Sequence, residues 1–439
     1  MEKEGSDREE AVSKRNEKLL KRKFYLDKIG YGFSSTQFIN ILFSFTGASF
    51  LLIGITNGLK SFFNTLISTF IKEITEKRDI SKSIISFAGL IFGFSFLILA
   101  LAVILELKYV FAIVLLVGGI SVTIYGELFN SFLNRYSKKG KINRLSSTST
   151  FKGLLISAIS IILAAGILDL TIFGGQAITI NILGKTINQN IYGYLLTFEV
   201  TAFAFIISSY VFAKVKVPQE NILRIIDYNA YFLILIQKSK QFLSNKYLLV
   251  MTSTTLIVSV FQSIINSFTG IYVYEHLKTA WFGGFMNVGV MYALALMVAL
   301  LGPLITSKIN KAIGVIPMFV FGTILLAMLP LTIVFTNMYY PAIVVANSFS
   351  VLGAAIIGSA QGILASRVLS LEDRKRFYSA AGFLTLAPFI VAVTILSFVA
   401  NNYGLAHLFK IMGFGLIILA TPLYFLLVIW ASNKKNGEL

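Results

Sequence analysis

Stretches of roughly 20 apolar residues, the length that crosses a hydrocarbon core, alternate with short polar segments along the chain. They run at 29–46, 49–73, 82–105, 108–133, 152–174 and 191–213, then at 247–273, 280–304, 313–336, 340–366, 378–400 and 405–430. The pattern predicts an all-α integral membrane protein of twelve transmembrane helices. Between the sixth and seventh lies a longer polar segment, 214–246, which begins KVKVPQE and mixes apolar with charged residues. With Pro218 at a helix start, it reads as an interfacial amphipathic helix on a cytoplasmic linker.

The expected organisation is a charged cytoplasmic tail (1–28), a six-helix bundle (29–213), the linker (214–246), a second six-helix bundle (247–431) and a short cytoplasmic tail (432–439). Residues 1–28 lack an apolar run beside a small-residue cleavage site, so no signal peptide is expected there. Basic residues fix the orientation. Of 38 Lys and Arg, the twelve-span reading puts only Lys108, Lys185, Lys278 and Lys410 outside and Lys60 within a span. Both termini are therefore expected in the cytoplasm, on a multi-pass protein of the cell membrane.

Composition strengthens this reading. The 439 residues are 56% hydrophobic and 13% charged, with mean hydropathy +0.79, a balance that belongs in a lipid bilayer. The net charge of +18 then sets topology, and no nucleic-acid partner is expected. The absence of cysteine excludes thiol catalysis and Cys-ligated metals, and two histidines give no metal cluster. No cofactor is expected. LGKT at 183–186 imitates the end of a phosphate-binding loop, but Thr179 stands where that loop needs glycine.

The two halves repeat. GELFNSFLNRYSKKGKINRLSSTSTF and GSAQGILASRVLSLEDRKRFYSAAGF align at an offset of 232 residues, bringing Gly126, Arg135, Arg144 and Phe151 opposite Gly358, Arg367, Arg376 and Phe383. At an offset of 230, Gly54 and Asn57 face Gly284 and Asn287, and SFTG occurs at 44–47 and 267–270. Parallel six-helix repeats build one large class of transporters.

With these features the chain resembles the major facilitator superfamily over nearly all its length beyond the tail. The family's loop between helices two and three usually reads Gly-x-x-x-Asp-basic-x-Gly-basic-basic. Here TFIKEITEKR supplies Thr69, Glu73, Glu76, Lys77 and Arg78 at the five marked places, so the charges persist and the glycines do not. In the second half GPLITSKINK keeps Gly302 and Lys311 but has Thr306 at the acidic position. Arg135, Arg367 and Arg376 resemble the family's arginines at the inner ends of helices four and ten, and GASFLLIG at 47–54 resembles the start of helix two. The resemblance implies a cytoplasmic gate made of Glu73, Lys77, Arg78, Arg135, Lys311, Arg367 and Arg376. It also implies a secondary transporter, not an enzyme, that works by alternating access as a monomer on a small-molecule substrate.

Polar side chains at helical spacing mark faces turned away from lipid. Span two carries Asn57, Lys60, Ser61, Asn64 and Ser68, and span one carries Gln37, Asn40 and Ser44. Span seven carries Ser259, Gln262, Ser263 and Asn266, span ten Asn347, Ser350 and Gln361, and span eleven Thr394, Ser397 and Asn401. The resemblance turns these spans toward a cavity, which makes Gln37, Asn40, Asn57, Lys60, Asn64, Gln262, Asn266 and Asn347 candidate substrate contacts. Lys60, at mid-span, has three readings: an outer-loop residue if the span starts later, an ion-pair partner of Glu127, or a cation facing an anionic or zwitterionic solute. Glu127 in span four and Glu199 in span six are the candidates for ion coupling, although the periphery suits Glu199 to helix packing. An uncoupled facilitator or drug exporter on the same fold is the alternative. From another class come a membrane-embedded transferase, for which 174–190 offers no acid or histidine, and a non-transporting receptor.

Overall fold

A computed structural model describes residues 2–77, 81–138, 147–169, 178–182, 185–189, 191–216, scattered positions between 233 and 240, and 242–434. Helices dominate. In chain order they are α1 (Glu2–Phe33), α2 (Thr36–Phe45), α3 (Phe50–Lys77), α4 (Lys82–Ile104), α5 (Lys108–Lys138), α6 (Ser147–Asp169) and α7 (Ile191–Ala213). They continue with α8 (Lys246–His276), α9 (Gly284–Ala299), α10 (Gly302–Ile313), α11 (Val315–Phe335), α12 (Tyr340–Val368), α13 (Leu371–Tyr403) and α14 (Leu405–Lys434). Between α6 and α7, strands β1 (Ile178–Ile182) and β2 (Lys185–Gln189) form an antiparallel hairpin with Ile180 opposite Ile187. The pattern of span lengths does not forecast it.

Among the described residues, ten helices are long and apolar enough to cross a membrane, and the pair α9 and α10 makes an eleventh that is bent by 51°. Two of the twelve expected spans are therefore not single straight helices. In 280–304 the break follows Ala299, where the ladder tightens to i, i−3 bonds (Leu300 N–H to Met297, Leu301 N–H to Val298) and Pro303 opens the next helix. In 29–46 the break is at Ser34 and Ser35. The Ser34 hydroxyl bonds back to the Gly30 carbonyl at 2.8 Å, and Ser35 has the extended backbone of an N-cap.

The chain forms two compact units. The first comprises Met1–Ala48 and Phe63–Ile226, the second Ser49–Phe62 and Asp227–Leu439. Residues 1–28, expected as a separate tail, group with the first unit. The 214–246 segment proposed as an interfacial helix lies mostly outside the described residues.

In the first unit α1 packs on α6 and α7, and α4 on α5 and α7. Their contacts are rich in edge-on aromatic pairs, such as Phe92 against Phe205 at 4.6 Å and Phe132 against Phe212 at 5.2 Å. In the second unit α11 and α12 cross where Gly322 meets Gly353. A β-carbon on Gly353 would press on the Gly322 carbonyl oxygen and the Leu326 nitrogen, so the two backbones touch, as small residues permit in membranes. Close by, the Ser350 hydroxyl donates to the Leu326 carbonyl at 3.1 Å. Gly314 (φ 80°) and Gly404 (φ 84°) make the sharp joints before α11 and α14, a left-handed conformation that other residues adopt at a cost.

Candidate functional site

The polar stripe of span two is present as one face of α3. Asn57 is buried, while Lys60, Ser61, Asn64 and Ser68 are half-buried, at spacings that keep them on adjoining turns. Lys60 lies well inside the helix Phe50–Lys77, which rules out the outer-loop reading. The outer part of α3 belongs to the second unit. There Phe50 meets Phe268 of α8 at 5.9 Å, and Gly54 sits so close to Ser397 of α13 that any β-carbon would overlap its side chain. Toward the other end of α3, the Ser68 hydroxyl donates to the Glu127 carboxylate of α5 at 2.6 Å. Glu127 is half-buried, and a carboxylate can accept more hydrogen bonds than the one that Ser68 supplies.

The remaining candidates divide into exposed and packed positions. On α8, Gln262 is half-buried and Asn266 exposed. On α2, Gln37 and Asn40 are buried, at 3% and 0% exposure, and Gln37 Oε1 has no hydrogen-bond partner among the described residues. Asn347 faces inward on α12 and donates to the Met291 carbonyl of α9 at 3.2 Å, which ties two helices together. Gln361 likewise links α12 to α8 through Thr255, at 2.9 Å. Glu199 is half-buried on α7.

The repeat partner of Asn57, Asn287, has a clear structural task. Fully buried, it donates to the carbonyls of Leu277 (2.8 Å) and Ala280 (2.9 Å) and accepts from Phe282 N–H (3.1 Å). One side chain thereby fixes the connection between α8 and α9. The Tyr340 hydroxyl adds a bond to its own carbonyl at 2.7 Å.

The most concentrated charged site involves residues assigned to the tail. Along α1 from Asn16 to Gly30 the buried positions are Asn16, Leu20, Lys23, Asp27 and Gly30, spaced four and three as on one face of a helix. Lys23 is 0% exposed and Asp27 7%, and their side chains pair at 2.6 Å. Asp27 also accepts from the Tyr125 hydroxyl of α5 at 2.8 Å and from the Ser208 hydroxyl of α7. The Lys23 ammonium lies 3.4 Å from the centre of the Phe129 ring and 4.3 Å from that of Tyr125, a cation–π arrangement strengthened by dryness. Two turns away Asn16 grips the backbone of Lys216, accepting from its N–H at 3.0 Å and donating to its carbonyl at 2.7 Å. The i, i+4 spacing of Lys23 and Asp27 was the available signal. By contrast the exposed pair of Lys21 and Glu17 is solvated; the carboxylate holds the Lys21 ammonium above the usual lysine range through a hydrogen bond and its charge.

Comparison with solved structures decides the architecture. The nucleoside transporter NupG superposes with a TM-score of 0.68 at 13% identity, covering 93% of this chain and 98% of that one. A POT family transporter bound to a thioalcohol-conjugated peptide gives 0.64 at 11% identity, covering 94% and 96%. The chain has the major facilitator fold. No protein-family model matches the sequence, and no curated protein is similar to it.

At the gate positions implied by the major facilitator resemblance, Arg135 is half-buried and Arg367 and Lys311 are exposed, with Thr306 buried one turn and a half before Lys311. Glu73 and Lys77 fall on the last turns of α3 and Arg376 on α13, with side chains outside the described residues, as is all of Arg78.

Proposed function

We propose that this protein is a secondary transporter that moves a small polar solute, anionic or zwitterionic, across the cell membrane by alternating access, coupled to protons or another ion. The observation that carries the reading is the polar face of α3, where half-buried Lys60 and Asn64 lead to the Ser68–Glu127 contact. A cation at mid-helix costs roughly 2.5–3.5 kcal/mol on insertion scales, a penalty offset where it meets an anionic ligand or water. Asn57, Asn64, Gln262, Asn266, Gln37 and Asn40 are the hydrogen-bonding groups proposed for the same solute. Glu127 is the preferred coupling group and Glu199 the second. The charged residues at the cytoplasmic ends, from Glu73 to Arg376, serve the gate. The basic-residue bias supports both termini in the cytoplasm, and a monomer suffices for the mechanism.

Nucleosides and small peptides, carried by the two neighbours of like fold, head the panel for a thermal-shift screen of the purified chain. Organic acids, amino acids, neutral sugars and cations complete it. A ligand that binds the folded state raises the midpoint. Acids or zwitterions should stabilise the native chain and lose their effect in Lys60→Ala. Equal stabilisation of both proteins removes Lys60 from the site, and neither binding nor flux in liposomes across the panel rejects the transporter reading.

A further inference from the structure

On the first unit, α4 and α7 leave between them a crevice of about 400 Å³, open to one side and lined by Ser86, Leu90, Ile206, Ser209, Tyr210 and Ala213. Around it Phe87, Phe203 and Tyr210 present more than half of their surface, as side chains facing lipid do. Two of its lining groups are out of keeping with hydrocarbon. The hydroxyls of Ser86 (8% exposed) and Ser209 (0%) are buried, yet neither has a hydrogen-bond partner among the described residues. Serine in a membrane helix ordinarily bonds back to the preceding turn, and a hydroxyl left unmatched in an apolar setting is unfavourable.

The rim of the crevice is basic. Lys82 lies one turn before Ser86 and donates to the Val215 carbonyl at 2.5 Å, which leaves two of its three N–H groups for another acceptor. Lys214 follows the lining residue Ala213 and holds its ammonium 4.1 Å from the centre of the Tyr210 ring. Lys216 is exposed, and the clasp of Asn16 on its backbone fixes its place. An apolar slot, two hydroxyls buried behind its wall and the lysines Lys82, Lys214 and Lys216 at one end form a series of layers.

We propose that this crevice binds one anionic phospholipid, with an acyl chain in the apolar slot between α4 and α7 and the phosphate on Lys82, Lys214 and Lys216. Ordering of the groups matches the ligand. The four residues from Lys82 to Ser86 rise about 6 Å along the helix axis, the sense in which acyl chains lie below their phosphate. Basic pockets between membrane helices favour anionic headgroups by charge. The site is independent of the solute carried.

The test uses the full chain purified in neutral detergent, with phosphatidylglycerol, phosphatidylcholine or inorganic phosphate added, read by thermal midpoint and by native mass spectrometry. Phosphatidylglycerol should raise the midpoint above the phosphatidylcholine value and survive as a single adduct. Lys82→Gln combined with Lys214→Gln and Lys216→Gln should weaken its binding on the order of a hundredfold. Ala213→Trp, which fills the slot and keeps the charges, should abolish the adduct. Equal effects of the two lipids, retention of the preference in the triple variant, or the same shift from inorganic phosphate would overturn the proposal. Lys214→Gln combined with Lys216→Gln changes exposed side chains alone, so a weakened adduct in that pair decides the matter even where Ala213→Trp or the triple variant does not fold.

Discussion

Lys23 and Asp27 face each other at 2.6 Å inside the first unit, one turn apart on a helix whose sequence reads as a solvated tail. The pair is sealed: Asp27 has Lys23, Tyr125 and Ser208 as donors, and Lys23 lies over aromatic faces. Removing one partner of such a pair strands the other, at about 3–5 kcal/mol. Lys23→Met and Asp27→Asn should each unfold at markedly lower temperature in detergent. The double variant should recover much of the loss, because neither charge then remains without its counterpart. Additive losses in this cycle would mean that the contact carries no coupling.

Asn287 predicts a different kind of loss. Replacing it with Ala frees two carbonyls and one N–H that it now matches, and each unsatisfied buried group costs about 1–3 kcal/mol. Asn287→Ala should therefore lower the thermal midpoint more than Asn266→Ala on the exposed side of α8. Protease accessibility should rise at residues 277–283, and an unchanged cleavage pattern would separate the side chain from the ordering of that connection.

The crossing of α11 and α12 sets a steric limit. Gly353→Val adds bulk against the Gly322 carbonyl, and overpacking of this kind typically costs about 1–3 kcal/mol. Gly358 on the same helix has open space where its β-carbon would be. Gly358→Ala should be tolerated while Gly353→Val yields less folded protein by size-exclusion chromatography, and equal yields would place the tight contact elsewhere.

The Ser68–Glu127 contact predicts a split in transport behaviour. If Glu127 carries the coupling ion, Glu127→Gln should lose uphill accumulation in liposomes bearing an ion gradient while exchange of labelled solute persists. Ser68→Ala, which removes one donor at 2.6 Å, should reduce accumulation by a smaller factor. Full uphill transport by Glu127→Gln would exclude this residue from coupling and move attention to Glu199.

Helices from α4 to α14 were legible because hydrophobic length is a strong signal where no water competes for the backbone. The bend after Ala299 was less so, since Pro303 and Gly302 resemble the start of a polar loop as much as a break within a span. At the site, the α3 stripe was read from spacing alone, and Lys60 does lie within a helix. Asn347 reads as a ligand contact because an amide that ties helices and an amide that binds solute have the same composition. The α1 site was hidden for a related reason. Charge counting across KLLKRKFYLDK registers solvation, whereas the buried face of Asn16, Leu20, Lys23 and Asp27 emerges only once Tyr125, Phe129 and Ser208 are brought alongside.

That buried face also bears on how the protein is made. The apolar run of α2 covers only Thr36–Phe45, half of what a lone membrane helix needs, and Lys23 and Asp27 each oppose partitioning by about 2.5–3.5 kcal/mol. Their partners on α5 and α7 leave the ribosome roughly 100 and 180 residues later. This segment is thus among the last of its unit to settle, since its charges find their partners only after the fourth and sixth spans have been made.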